Sequence, residues 1–156
     1  MPDPDYRRFS RLARSATLVP VVRTLPADQL TPVSAFLSLS AGEPYAFLLE
    51  SVEGGEKIGR YTFLGVRPFL ILRAKGPEIT LERGKRRVRR RGSLFPVLRE
   101  LLSQHRPAAV PGLPPFTAGA VGFLAYDAVR QLEKLPARAK DDLKTPDCVQ
   151  IGRAHV

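Results

Sequence analysis

The clearest pattern in the chain runs from Leu94 to Leu102. Leu94, Val97, Leu98, Leu101 and Leu102 step i, i+3, i+4, i+7, i+8, which predicts a helix with one apolar stripe, opened by Ser93 as its cap and packed on a sheet. A second helix is expected after Thr31-Pro32, with Thr31 as N-cap, Pro32 in the first turn and Gly42 as the stop. Short β-branched and aromatic runs predict strands at Thr17–Leu25, Tyr45–Ser51, Tyr61–Val66 and Phe69–Ala74, the last continuing the sheet. Pro20 marks the first of these as an edge strand. Glu78 to Arg91 reads as a hairpin turning at Arg83-Gly84, with Ile79, Leu81 and Val88 facing inward. After the Pro-rich stretch 107–115 comes an apolar strand candidate, Phe116 to Asp127, containing Gly119 and Gly122. Glycines in such a strand point to a bulge or a close backbone approach, and their spacing fits no nucleotide fingerprint. A short helix over Asp127–Leu132 follows, and 140–149 carries no strong pattern. Hairpins rather than regular strand–helix–strand units predict an α+β fold: a largely antiparallel sheet with two or three packed helices.

Composition supports a globular chain. At 156 residues with 44% hydrophobic content, it can bury one sizeable core. The single cysteine, Cys148, excludes an internal disulfide and a cysteine-rich zinc site, and suits a reducing, cytoplasmic setting. His105 and His155 have no metal-ligand spacing. The acidic start, Met1 to Asp5, lacks a secretory apolar core, and no apolar run approaches the ~18 residues of a membrane helix. Residues 1–16, polar and without a period, read as a mobile lead-in.

The net charge of +10 changes this picture only locally. Arg83, Lys85, Arg86, Arg87, Arg89, Arg90 and Arg91 all lie in the predicted hairpin, and without these seven charges the net charge is +3. No aromatic side chain is interleaved with them, so bases have no stacking platform, and a solvated hairpin is favoured over a nucleic-acid ribbon.

Candidate chemistry sits at Leu48-Leu49-Glu50-Ser51 and Gly59-Arg60-Tyr61-Thr62-Phe63-Leu64-Gly65, separated by a Gly54-Gly55 turn. A carboxylate, a hydroxyl and a guanidinium at one pocket edge can hold a zwitterion such as an amino acid. Turn chemistry and solvation are the plainer account of each residue alone. Strand alternation puts Glu50 and Ser51 on opposite faces unless the strand ends there.

These motifs, with V-P-V-V-R at 19–23, T-P-V-S-A-F at 31–36, P-F-T-A-G-A-V-G-F at 115–123, Y-D-A-V-R at 126–130, E-K-L-P at 133–136, D-D-L at 141–143 and P-D at 146–147, resemble in their order the N-terminal region of anthranilate synthase component I. The resemblance implies that 17–149 form a regulatory domain whose tryptophan site includes Ser51, Glu50 facing an ammonium and Arg60 facing a carboxylate. It implies that the full-length form is a lyase converting chorismate to anthranilate and pyruvate with Mg²⁺, and that a glutamine amidotransferase subunit supplies its ammonia. The catalytic groups and Mg²⁺ ligands would then lie in a C-terminal domain, leaving this chain without catalytic residues. The related aminodeoxychorismate branch, and a nucleic-acid module built on the basic hairpin, are the alternatives. Residues 150–156 depart from the family. Ile151 to Val156 resembles an in-frame translation of a sequencing adapter and is expected to be an artefactual end.

Overall fold

The computed structural model describes residues 3–50, 61–114, 116–136 and 141–153. Two compact units divide the chain: residues 1–68, 106–119 and 153–156 in the first, and 69–105 and 120–152 in the second. The fold is α+β, with one two-stranded and one five-stranded sheet.

In the first unit, residues 6–12, where the sequence shows no period, form helix α1 (Tyr6–Leu12). The Asp5 carboxylate accepts from the Arg8 amide at 2.8 Å, satisfying one of the open donors of the first turn. Helix α2 (Pro32–Ser40) follows a reciprocal cap. Thr31 Oγ1 accepts from the Ser34 amide at 3.1 Å, and Ser34 Oγ accepts from the Thr31 amide at 3.0 Å. Strand β1 (Ala46–Leu49) pairs antiparallel with β2 (Phe63–Val66), and α2 packs on both. The expected strand over Thr17–Leu25 does not form. Only isolated bridges occur, Leu18 with Pro107 and Val22 with Asp3, because Pro20 interrupts the donor series a ladder needs.

The second unit holds the larger core. Strands β3 (Leu70–Lys75), β4 (Glu78–Arg83) and β5 (Arg86–Arg91) form an antiparallel meander. Helix α3 (Leu94–Ser103), β6 (Gly119–Leu124), a 3-10 helix (Tyr126–Gln131) and β7 (Cys148–Arg153) follow. The sheet order is β5-β4-β3-β7-β6. β3 therefore does not continue the β1–β2 ladder, as its sequence suggests; it pairs with β4 and β7 in a separate sheet. Residues 150–152, read from sequence as part of an unrelated end, pair in β7 with Leu72, Ile71 and Leu70.

Alternation decides which face is buried. Leu70, Leu72 and Ala74 of β3, Ile79 and Leu81 of β4, and Cys148 of β7 form the core with Leu94 and Leu101 of α3. Val97 and Leu98 pack against it, while Leu102 remains exposed at the rim of the stripe. Each fully buried leucine or isoleucine here contributes about 1.5–3 kcal/mol. The hairpin turns at Gly84-Lys85, one residue later than expected, where Gly84 adopts φ +56°.

Candidate functional site

Leu49 pairs with Phe63 at one end of the β1–β2 ladder, and Glu50 is the exposed residue that follows. The strand thus ends where the expected site begins, which releases Glu50 from the strict alternation of the ladder. Ser51 and Arg60 lie outside the described residues. An aromatic group that the sequence did not single out borders this end. The Tyr61 and Phe63 rings are 6.0 Å apart, and Phe116 meets Phe63 edge-on at 5.6 Å. That edge-to-face arrangement stiffens the ladder's end.

The late acidic motifs have a structural role in the second unit. Asp147 is buried, and its Oδ2 accepts from the Gly76 amide at 2.6 Å, in the turn between β3 and β4. The Asp147 amide donates to Ala74 O, and its carbonyl accepts from the Ala125 amide. Lys75 Nζ reaches Asp141 Oδ2 at 2.8 Å, Asp147 Oδ1 at 3.4 Å and the Thr145 carbonyl at 2.7 Å. The bond to Lys75 holds the Asp141 carboxyl below its ordinary range, and the same bond raises Lys75. A carboxylate held low and an amine held high keep this exposed pair charged across neutral pH. Its small contribution fades as pH falls through the Asp141 titration or rises through that of Lys75. Burial, with the Asp147 charge adding to it, pushes the Cys148 thiol up to about 11, which leaves it unreactive at neutral pH.

Gln131 clamps the other side of the same turn. Its Oε1 accepts from the Leu94 amide at 2.6 Å and from Ser93 Oγ at 3.0 Å, and its Nε2 donates to the Gly76 carbonyl at 3.3 Å. Ser93 occupies the expected cap position of α3 but makes no cap bond there; the distant Gln131 supplies it. Gly76 is thus gripped through both its amide and its carbonyl. Asp147→Asn removes the charge and is expected to cost about 1 kcal/mol, read as a lower denaturation midpoint with unchanged far-ultraviolet dichroism. An unchanged midpoint would remove Asp147 from the clamp.

The hairpin arginines are explained by position. β5 is an edge strand, and charged side chains blunt such edges against pairing with other chains. Arg87 and Arg73 flank Glu82 at 3.2 and 3.8 Å, and Arg90 reaches Glu100 of α3 at 3.2 Å. Among the described residues no group of three or more His, Cys, Asp or Glu side chains is arranged to hold a metal ion. No helix of the described residues is long and apolar enough to cross a membrane.

No protein-family model matches the chain. Curated proteins do. The chain is 38% identical over 159 residues to anthranilate synthase component 1 of Synechocystis sp., covering 100% of this chain and 31% of that protein. It is 41% identical over 147 residues to anthranilate synthase component 1 of Mycobacterium tuberculosis, covering 92% of this chain and 28% of that one. A third, from Acetivibrio thermocellus, is 36% identical over 146 residues, covering 93% and 29%. The chain therefore spans about three tenths of the length of the curated relatives it matches. The matched part is their N-terminal part, and by this shared sequence the chain belongs with the N-terminal part of the anthranilate synthase component 1 family.

Proposed function

We propose that this chain is the tryptophan-binding regulatory part of a longer anthranilate synthase component 1, called the parent below. In this reading the parent converts chorismate, with ammonia drawn from glutamine by an amidotransferase subunit, to anthranilate and pyruvate in the cytoplasm. The observation that carries it is 38–41% identity to proteins of that name across 92–100% of this chain.

The residues give the regulatory part its chemistry. Glu50, at the open end of β1, offers a carboxylate to the amino group of a free amino acid. Ser51 follows it with a hydroxyl that can donate or accept, and Arg60 offers a guanidinium matched to a carboxylate. Charge pairing of both ends of a zwitterion selects an amino acid over a simple acid or amine. In this reading the lyase chemistry is assigned to the parent's remaining polypeptide. Mg²⁺ belongs there as well.

Two assays test the proposal. The 156-residue chain, given chorismate, Mg²⁺ and ammonia, is expected to yield no anthranilate fluorescence above a protein-free control. The parent, in the same assay, is expected to form anthranilate and to lose rate as tryptophan is added. A parent that forms aminodeoxychorismate, or one insensitive to tryptophan, would overturn the proposal.

A further inference from the structure

The basic hairpin holds more charge than its own neighbours neutralise. It carries seven cations against two carboxylates, Glu78 and Glu82. Arg87 reaches Glu82, Arg90 reaches Glu100 of α3, and Arg83 lies over the Phe69 ring at 5.5 Å. Lys85, Arg86, Arg89 and Arg91 form no ion pair among the described residues, although Arg91 stands directly opposite Glu78. All five arginines of β5 are exposed, and only Val88 is half-buried.

The backbone of β5 is open at a definable set of residues. Gly92, just past the strand, donates its amide to the Pro77 carbonyl at 2.9 Å, which makes these two a hydrogen-bonded pair of the antiparallel ladder. Such pairs alternate with pairs that exchange no bonds. In the register of the hairpin, Arg90, Val88 and Arg86 then bond to Ile79, Leu81 and Arg83. Arg87, Arg89 and Arg91 take the alternate positions, with amides and carbonyls turned away from β4. β5 ends the sheet on that side, so these groups meet no further strand of the described residues. The same three side chains recur about every 6.8 Å along one face, and Arg86 and Arg90 lie on the other.

We infer that the β5 edge binds an extended acidic polypeptide segment of a partner protein, added as a further strand whose carboxylates stand opposite the arginines. An added strand has the same step as β5 and sets its Cβ atoms about 4.5–5.5 Å from those it faces, which suits Arg–carboxylate pairs on both faces. Its backbone takes up the open amides and carbonyls of Arg87, Arg89 and Arg91. Like charges directly opposite are destabilising, so a second copy of β5 is rejected. A neutral strand would crowd water away from the arginines with no charge to replace it. A nucleic acid meets the charge but finds no aromatic platform for its bases and offers no match to the amide–carbonyl row. The inference concerns a partner and stands apart from the tryptophan reading.

The probe is an end-blocked peptide, Glu-Glu-Glu-Val-Glu-Glu, the antiparallel complement of Arg86–Arg91 with valine opposite Val88. At saturation on the 156-residue chain in low salt, it is expected to slow exchange of the Arg87, Arg89 and Arg91 amides at least roughly tenfold. The amides of Arg86, Val88 and Arg90 already bond to β4 and should not change. The same peptide N-methylated at the residues facing Arg87 and Arg89 keeps every charge and loses two donors, so it is expected to bind at least roughly tenfold more weakly. Arg89→Glu with Arg91→Glu should weaken the unmodified peptide by a similar factor; if that variant unfolds, the N-methyl comparison on the unaltered chain still decides. Equal binding of the two peptides overturns the inference, because charge alone then holds them. A single-stranded oligonucleotide of equal charge that binds more tightly than the peptide overturns it in favour of a nucleic acid. No added protection at the three amides leaves β5 a solvated edge and overturns it as well.

Discussion

Ser51→Ala in the parent is expected to raise the tryptophan concentration for half-inhibition by roughly tenfold to a hundredfold, with chorismate turnover nearly unchanged. The deletion removes one hydrogen bond to a charged end of the ligand, worth about 1.5–3 kcal/mol. Turnover is spared because the reacting groups are assigned to a part of the parent that this chain does not span. Coupling between the two sites remains reciprocal for binding: chorismate changes tryptophan affinity by the same factor as tryptophan changes chorismate affinity. Initial rates across a tryptophan titration, for wild type and mutant, give the answer. An identical inhibition curve in a folded mutant would reduce Ser51 to turn chemistry.

Local features of the fold were legible in the sequence where short-range physics sets them. The i, i+3, i+4 stripe of α3 buries Leu94 and Leu101, and the alternation of β4 buries Ile79 and Leu81, as the pattern requires. Thr31 caps α2 through bonds reaching three residues, a distance a sequence displays directly. What was not legible depends on partners far along the chain. The period of Phe69–Ala74 says strand, but nothing in it says that β7, more than 70 residues later, is its neighbour instead of β2. The cap of α3 comes from Gln131, 37 residues away, while the nearer Ser93 merely looks the part. Asp147 was visible as a motif residue, yet its role as a clamp on Gly76 exists only once the sheet has formed. Of the candidate site, Glu50 stands at a strand end, where a ligand-facing carboxylate is sterically possible. The expected site's other members, Ser51 and Arg60, were read from residue types and resemblance and lie outside the described residues.

Gly122→Ala is expected to be the most damaging small substitution in the second unit. The sequence flags Gly119 and Gly122 as places of a bulge or a close backbone approach, and at Gly122 the structure supplies a backbone neighbour. A Cβ built on Gly122 would collide with the Val149 carbonyl oxygen and lie 2.9 Å from the Val149 carbonyl carbon and the Gln150 Cα. All three are backbone atoms of β7, so no side chain can swing away to relieve the clash. Either β6 separates locally from β7 or β7 shifts against β3, its partner through Cys148–Gly152. β7 also carries Cys148, a fully buried core residue, which ties any shift to the packing of α3. Forced overpacking of this kind costs about 3 kcal/mol or more, or roughly 10 °C in the midpoint of a chain this size. Gly92→Ala is the matched control. Gly92 has ordinary φ and nothing within 4 Å of its Cβ position, so the same methyl should shift stability by no more than about 0.5 kcal/mol. Thermal unfolding of the two variants side by side separates backbone collision from loss of glycine flexibility. Equal midpoints would show that β7 does not lie against Gly122, and the sheet order that makes β6 an edge would fall with it.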